Sequence, residues 1–244
     1  MKNNNKKHVK PYSAATLKKA VKLLKTLIAY YAACIASGEI LKACISSGNK
    51  KIGRVLNVSI APVITCGNCS GCKEFCYDIK AVIQYPEVSR ARARNTALAI
   101  HKRDEFFRQI DEKMTHRKKN KFFRWHVSGD IMDYDYFCRM VEIAKNHPDF
   151  VIWTYTKMYG IVNMYVRNHG GDKSCIPENF SIMFSEWRGM PMNNPYKFPE
   201  FRVKFEDDSA DMFSGLWKCP WNCDACKACN HGCIVGESVY CDVH

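Results

Sequence analysis

Near the start of the chain, apolar residues recur at steps of three and four. Leu17, Val21, Leu24, Ile28 and Tyr31 keep that period, and Lys18, Lys19, Lys22 and Lys25 fill the turns between them. This is the pattern of an amphipathic helix, with Ser13 placed to cap its first turn. A second short helix is expected over residues 38–46. The pattern then changes: Val55, Val58, Ile60 and Val63 are β-branched and predict a strand over residues 54–64, with Pro62 marking its end or an edge. Residues 79–115 return to the helical period, broken near Pro86. Further strands are expected at 122–128, 150–155, 180–184 and 201–205, and helices at 134–146, capped by Asp133, and at 161–168. Residues 190–199 are rich in Pro and Asn and read as loop.

Alternating strands and helices imply parallel strands joined by right-handed crossovers. The five or six strands counted here predict an α/β fold, a partial or irregular (β/α) barrel. The expected division is a basic tail and helices over 1–50, the barrel over 51–217, and a cysteine-rich segment over 218–244.

Polar residues fall where these strands end: Cys66, Asp130, Lys157 and Glu186. In parallel α/β folds the carboxyl ends of the strands form the site. Asp130, Lys157, Glu186 and His126 are therefore the candidate catalytic residues. On an extended strand His126, Ser128 and Asp130 share one face. His126 would then serve as a general base, and Ser128, Gly129 and Asp130 as contacts to the amine or ribose of a cofactor. The structural alternative is a core histidine held by hydrogen bonds and an aspartate that caps the next helix.

The cysteines change the picture most. Cys66, Cys69, Cys72 and Cys76 have the spacing C-x2-C-x2-C-x3-C, which wraps a [4Fe–4S] cube in bacterial ferredoxins, and Gly67 and Gly71 are expected to permit the curl. The residue after the fourth cysteine is Tyr77 rather than the ferredoxin proline. Zinc is the alternative, although structural zinc sites use two pairs separated by a longer finger. The same spacing returns as Cys223, Cys226, Cys229 and Cys233. Cys219, Cys223 and Cys226 overlap it with C-x3-C-x2-C, the spacing of radical S-adenosylmethionine enzymes, in which three ligands leave one iron open. The C-terminal run reads either as a second iron–sulfur site or as a zinc knot, with His231, Cys241 and His244 as extra candidate ligands. Cys34 and Cys44 lie on apolar faces and read as small core residues.

The chain has 244 residues, 14 cysteines and a net charge of +13. No secretory signal is legible in the basic N-terminal tail over 2–10, and the longest apolar stretch, residues 27–36, is shorter than a membrane span. A cytosolic protein with metal-binding rather than disulfide-forming cysteines is expected. The positive excess favours a polyanion partner, DNA or RNA first. Arg90, Arg92, Arg94, Lys118, Lys119 and Lys121 are the candidate phosphate contacts, and a solvated basic face is the plainer account of them.

Taken together, these motifs resemble a known family. Thr65-Cys66, Cys72-x3-Cys76-Tyr77, the arginine-rich run from Arg90 to Asn95, Val127-Ser128-Gly129-Asp130 and Thr154-Tyr155-Thr156-Lys157 resemble gene product 88, a phage and mobile-element family. Cys219-Pro220 with Cys223, Cys226 and Cys229 resembles that family's closing cysteine cluster. The resemblance covers residues 53–230 and leaves out the N-terminal helices. It implies an iron–sulfur α/β protein of phage or plasmid origin, working in the host cytosol, and carries no activity with it. More distantly, the strand, the loop ending Cys76-Tyr77 and the later Ser128-Gly129-Asp130 are similar to radical S-adenosylmethionine barrels. The order of spacings in this loop is the reverse of theirs, and its fourth cysteine would close the iron that S-adenosylmethionine needs.

The expected function is an iron–sulfur protein with one or two clusters, doing redox or radical chemistry on a nucleic acid or nucleotide. The alternative is a non-catalytic nucleic-acid-binding protein with structural iron–sulfur or zinc knots. A plain electron carrier would leave the large α/β body unexplained.

Overall fold

The computed structural model describes residues 10–49 and 52–243. The basic tail, apart from Lys10, and His244 lie outside the described residues. Helix α1 (Ala14–Ala36) begins where its cap predicts: the Ser13 hydroxyl accepts from the Thr16 N–H at 3.2 Å. Its inward residues Ala20 and Leu24 pack on Ala61, Ile79 and Val82. The expected second helix is absent. Ile45–Ser46 is instead a short strand, β1, antiparallel to β2 (Leu56–Val58). Asn95 grips this segment from a distance, accepting from the Cys44 N–H at 2.7 Å and donating to its carbonyl at 3.0 Å. Such a clamp satisfies backbone groups that a helix would otherwise have paired locally.

The strand expected over 54–64 is confined to β2. Beyond it Val63 turns left-handed, at φ 67°, a conformation a β-branched side chain rarely adopts. Residues 79–115 belong to three helices: α2 (Tyr77–Gln84), α3 (Pro86–His101) and α4 (Arg103–Thr115). Pro86 starts α3 at a position where its missing N–H costs nothing. The rest alternates as the pattern predicts: β3 (Phe122–Trp125), α5 (Tyr134–Asn146), β4 (Val151–Thr156), α6 (Tyr159–Asn168), β5 (Phe180–Glu186) and β6 (Glu200–Lys204). The C-terminal segment, read as a knot, adds β7 (Trp217–Lys218), α7 (Cys223–Cys229) and β8 (Val239–Asp242).

Among the described residues one eight-stranded sheet results, in the order β1-β2-β3-β4-β5-β6-β8-β7. All its pairings are parallel except that of β1 with β2. Among the described residues no pairing joins β1 to β7, so the sheet has two edges. From β2 to β6 each strand lies beside the next in sequence. Right-handed crossovers between successive neighbours put every connecting helix on the same face. The core agrees: Phe123, Trp125, Ile152, Ile182 and Phe184 pack among Phe106, Phe137, Met140, Val162 and Tyr165 of the helices. The alternate residues, Trp153 and Met183, look the other way. They meet Ile52, Val55, Cys226, Cys233, Ile234 and Val239, so the C-terminal cysteine segment covers the second face of the sheet.

Candidate metal centre

Both cysteine runs open onto one cavity of about 320 Å³ on that second face, at the carboxyl ends of the central strands. The first run follows β2 through the turn at Val63. Lys73–Phe75 forms a single 3₁₀ turn, and α2 starts directly after Cys76. Cys66, Cys69, Cys72 and Cys76 all line the cavity. Neither Gly67 nor Gly71 takes a positive φ, so the curl does not depend on left-handed glycines. Their role is close packing. A Cβ on Gly67 would come within 2.8 Å of Met158, and one on Gly71 within 2.9 Å of Trp187. Asn68 ties the loop to the sheet by donating to the Lys157 carbonyl at 3.3 Å.

The second run does not converge as its ferredoxin spacing predicts. Cys219, Cys223, Cys226 and Cys233 line the cavity. Cys229 stands outside it, exposed, with its thiol turned onto the Ala225 carbonyl at 3.1 Å. The reason is helical geometry. α7 carries Cys223, Cys226 and Cys229 at steps of three, which places Cys229 about 120° round the axis from Cys223. Cys219 enters instead from the end of β7, and Cys233 from the turn after α7, where the Tyr155 hydroxyl bonds its thiol. Burial pushes the Cys76 thiol up to about 11 and the Cys233 thiol up to about 12. Cys66 is raised as well, by burial first and then by the Asp130 carboxylate. These are protonated thiols until something that prefers a thiolate arrives. Among the described residues, no group of three or more His, Cys, Asp or Glu side chains is placed to hold a single metal ion.

Among the described residues, two cations face this cavity. Arg124 projects from β3 toward the second run, its guanidinium 4.6 Å from the centre of the Tyr155 ring. Its buried Nε has no hydrogen-bond partner among the described residues. Burial opposes the charge on Arg124, but the neighbouring Tyr155, Tyr77, Cys223 and Cys233 outweigh it and raise its pKa. Lys157, beside the first run, donates to the Ser185 hydroxyl at 3.1 Å and lies 6.0 Å from the Trp187 ring. Neither cation has a carboxylate ion-pair partner among the described residues.

The remaining candidates divide. The expected strand face through His126, Ser128 and Asp130 does not exist, because β3 ends at Trp125 and His126 sits at φ 49°. Gly129, at φ 86°, lies against Ile60, and a Cβ there would approach it to 2.4 Å. All four residues from Val127 to Asp130 still border the cavity, as does His126. The His126 Nε2 lies 3.0 Å from the Tyr136 hydroxyl, its Nδ1 is buried without a partner, and burial pushes the imidazole down to about 3. Asp130 is a crosslink between strand ends. It accepts from the Ile131 N–H at 2.7 Å, the Thr156 hydroxyl at 2.6 Å and the Lys157 N–H at 2.9 Å. Burial nonetheless holds its carboxyl above the usual range. Asp133, rather than Asp130, caps α5. The Ser128 hydroxyl is buried and has no partner among the described residues.

Glu186 is not in the site. β5 runs two residues further than its apolar pattern, so Ser185 faces the cavity and Glu186 faces away, paired with Arg202 at 3.0 Å. Nor do the six basic candidates form one surface. Arg92 is held by Asp78 through two bonds of 3.0 and 3.2 Å, Arg90 pairs with Glu87, and Arg94 lies over the Tyr31 ring of α1. Lys118, Lys119 and Lys121 precede β3, at the end of the sheet away from the cavity, and Lys121 pairs with Asp149. His231 stacks on Trp217 and bonds Glu237, outside the cavity, while Cys241 is buried within β8. Arg124, Tyr155 and Ser185 were missed by the sequence reading. The signal for Arg124 was available: an arginine set among Phe122, Phe123 and Trp125 in an apolar strand.

No helix is long and apolar enough to cross a membrane among the described residues. No curated protein and no solved structure matches the chain. The family model for gene product 88 matches residues 2–215. The match takes in α1, which the motif resemblance left out, and stops before Cys219. The chain belongs to the gene product 88 family.

Proposed function

We propose that this is an iron–sulfur redox protein whose two cysteine sets, Cys66, Cys69, Cys72 and Cys76 and then Cys219, Cys223, Cys226 and Cys233, each hold a [4Fe–4S] cluster. The observation that carries the reading is convergence. Two runs far apart in sequence line a single cavity at the strand ends. A cube spreads four thiolates over four iron corners, so it suits a ring of thiols around a hollow. Thiolate-ligated clusters are anionic, and Arg124 and Lys157 supply cations beside the two sets without carboxylates of their own. A bound cluster would supply one-electron transfer. The chain's own residues would position it: Asp130 fixes the ends of β3 and β4, Asn68 pins the first loop, and the apolar wall of Trp153, Phe201 and Ile234 restricts water. The winding of β2 to β6 supports reading the sheet as a barrel left open, its interior taken by the C-terminal segment.

The test is anaerobic reconstitution with iron and sulfide, followed by metal and sulfide analysis and electron paramagnetic resonance. Two cubes give about eight irons per chain. Cys219→Ser is expected to lose about half of them, and Cys229→Ser to keep them all. With four thiolates at each set no iron is open, so S-adenosylmethionine is expected to leave the spectrum unchanged. Stoichiometric zinc without a cluster signal would sink the reading. One observation favours a second account, in which the C-terminal site is a structural iron–sulfur or zinc knot: Cys226 and Cys233 are packed into the core of the second sheet face with Trp153 and Met183. On that account metal removal unfolds the C-terminal segment, and the metal at Cys219–Cys233 does not change redox state.

A further inference from the structure

We infer that the outer face of α1 binds the phosphate backbone of a nucleic acid. The inference does not depend on what metal the cavity holds. Eight lysines and no acidic residue precede Glu39, so the first 38 residues carry eight of the thirteen net positive charges. Four of the eight, Lys18, Lys19, Lys22 and Lys25, are exposed on α1. At 3.6 residues per turn, Lys18, Lys22 and Lys25 fall within about 60° of one another, with Lys19 about 60° further round from the nearest of them. The buried residues Ala20 and Leu24 lie on the far side.

What marks this face is that its lysines have no carboxylate among them along the helix. Most of the arginines on the rest of the surface are matched: Arg103 by Asp133, Arg108 by Glu105, Arg139 by Asp104 and Arg202 by Glu200. The α1 lysines have no ion pair among the described residues, and α1 contains no carboxylate to provide one. Lys18 to Lys25 spans about 10 Å of helix, comparable to several successive phosphates along a duplex. Tyr30 lies on the Lys19 side of the same face, 61% exposed.

An anionic membrane is the competing polyanion. A helix binds a bilayer by burying its apolar face in it, and the apolar face of α1 is already packed on Ala61, Ile79 and Val82. Leaving that contact would expose the core beneath it. A nucleic acid needs only the outer face.

The test uses the full chain and a labelled DNA duplex of about 20 base pairs, titrated by fluorescence anisotropy between about 50 and 200 mM salt. Lys18, Lys19, Lys22 and Lys25 are replaced together by Gln, which keeps helix propensity, and circular dichroism checks the fold. Each phosphate contact contributes about 0.9 to the slope of log K against log salt, so the quadruple variant is expected to flatten that slope by about 3 to 4. Lys118→Gln with Lys119→Gln, exposed at the far end of the sheet, is expected to change it by less than about 1. Failure of the wild type to bind the duplex would overturn the inference. So would an unchanged slope in the quadruple variant, an equal loss in the Lys118 and Lys119 variant, or binding to phosphatidylserine vesicles in place of DNA.

Discussion

Replacing His126 by Asn separates a buried structural imidazole from a working base. Asn tolerates the left-handed backbone at this position and does not titrate. The imidazole is 3% exposed, and burial holds it near 3 in the fold. In the unfolded chain it titrates near 6.5. A folded-state value below the unfolded one means that the unfolded chain takes up a proton first as pH falls. The stability that comes from keeping this imidazole neutral is therefore complete above about pH 7 and is lost progressively down to about pH 3. Between pH 7 and pH 5 the loss from this one residue is about 2 kcal/mol, at about 1.4 kcal/mol per unit below 6.5. Urea denaturation of wild type and variant at the two pH values measures it. The wild type is expected to lose about 2 kcal/mol more than His126→Asn over that interval. Equal losses in the two proteins would refute the reasoning, as would an NMR titration placing the His126 ring near 6.5.

Asp78 is 2% exposed and holds Arg92 through two bonds. Asp78→Ala leaves a part-buried guanidinium unpaired and is expected to cost about 3 kcal/mol, read as a lowered midpoint in a urea melt. Asp130→Asn replaces one acceptor oxygen by an amide donor facing N–H and hydroxyl donors, an expected loss of about 2 kcal/mol by the same measurement. Brief alkylation of the reduced, metal-free protein is expected to label exposed Cys229 before buried Cys226 and Cys233, by peptide mass mapping. Under the proposed reading, Arg124→Met removes a cation that favours the reduced cluster of the second set. The expected outcome is a more negative reduction potential for one cluster, seen by redox titration, with iron content unchanged.

Much of the fold was legible because its signals are local. Ser13 and Asp133 mark helix starts by side-chain chemistry, and the alternation of apolar runs placed the central strands. Where partners are remote, the pattern failed. Residues 38–46 lack a local preference strong enough to resist Asn95, which lies about fifty residues on. β7 and β8 are short and gain their pairing only when β6 is beside them. That two cysteine runs would matter was legible, but not which of their cysteines line the cavity. Spacing counts residues along the chain, while cavity-lining side chains are selected by direction. Helix α7 turns Cys229 outward, and β7 delivers Cys219 in its place. Glu186 failed for a related reason: two more residues of strand reversed which side chain faces in.

The second face of the sheet is finished by a segment made well after the first cysteine run. Cys76 leaves the ribosome 143 residues before Cys219. At typical rates of synthesis that is an interval of roughly 7 to 30 s. During it the first four thiols stand at the strand ends with no C-terminal segment above them. Under the proposed reading, wrong metals and oxidants have their access then, and so does the supply of the cluster. Once α7 and β8 dock, the cavity has its lid and its second set of thiols together. On that reading, protein made slowly, or in air, is expected to differ in loading at Cys66–Cys76 before it differs at Cys219–Cys233.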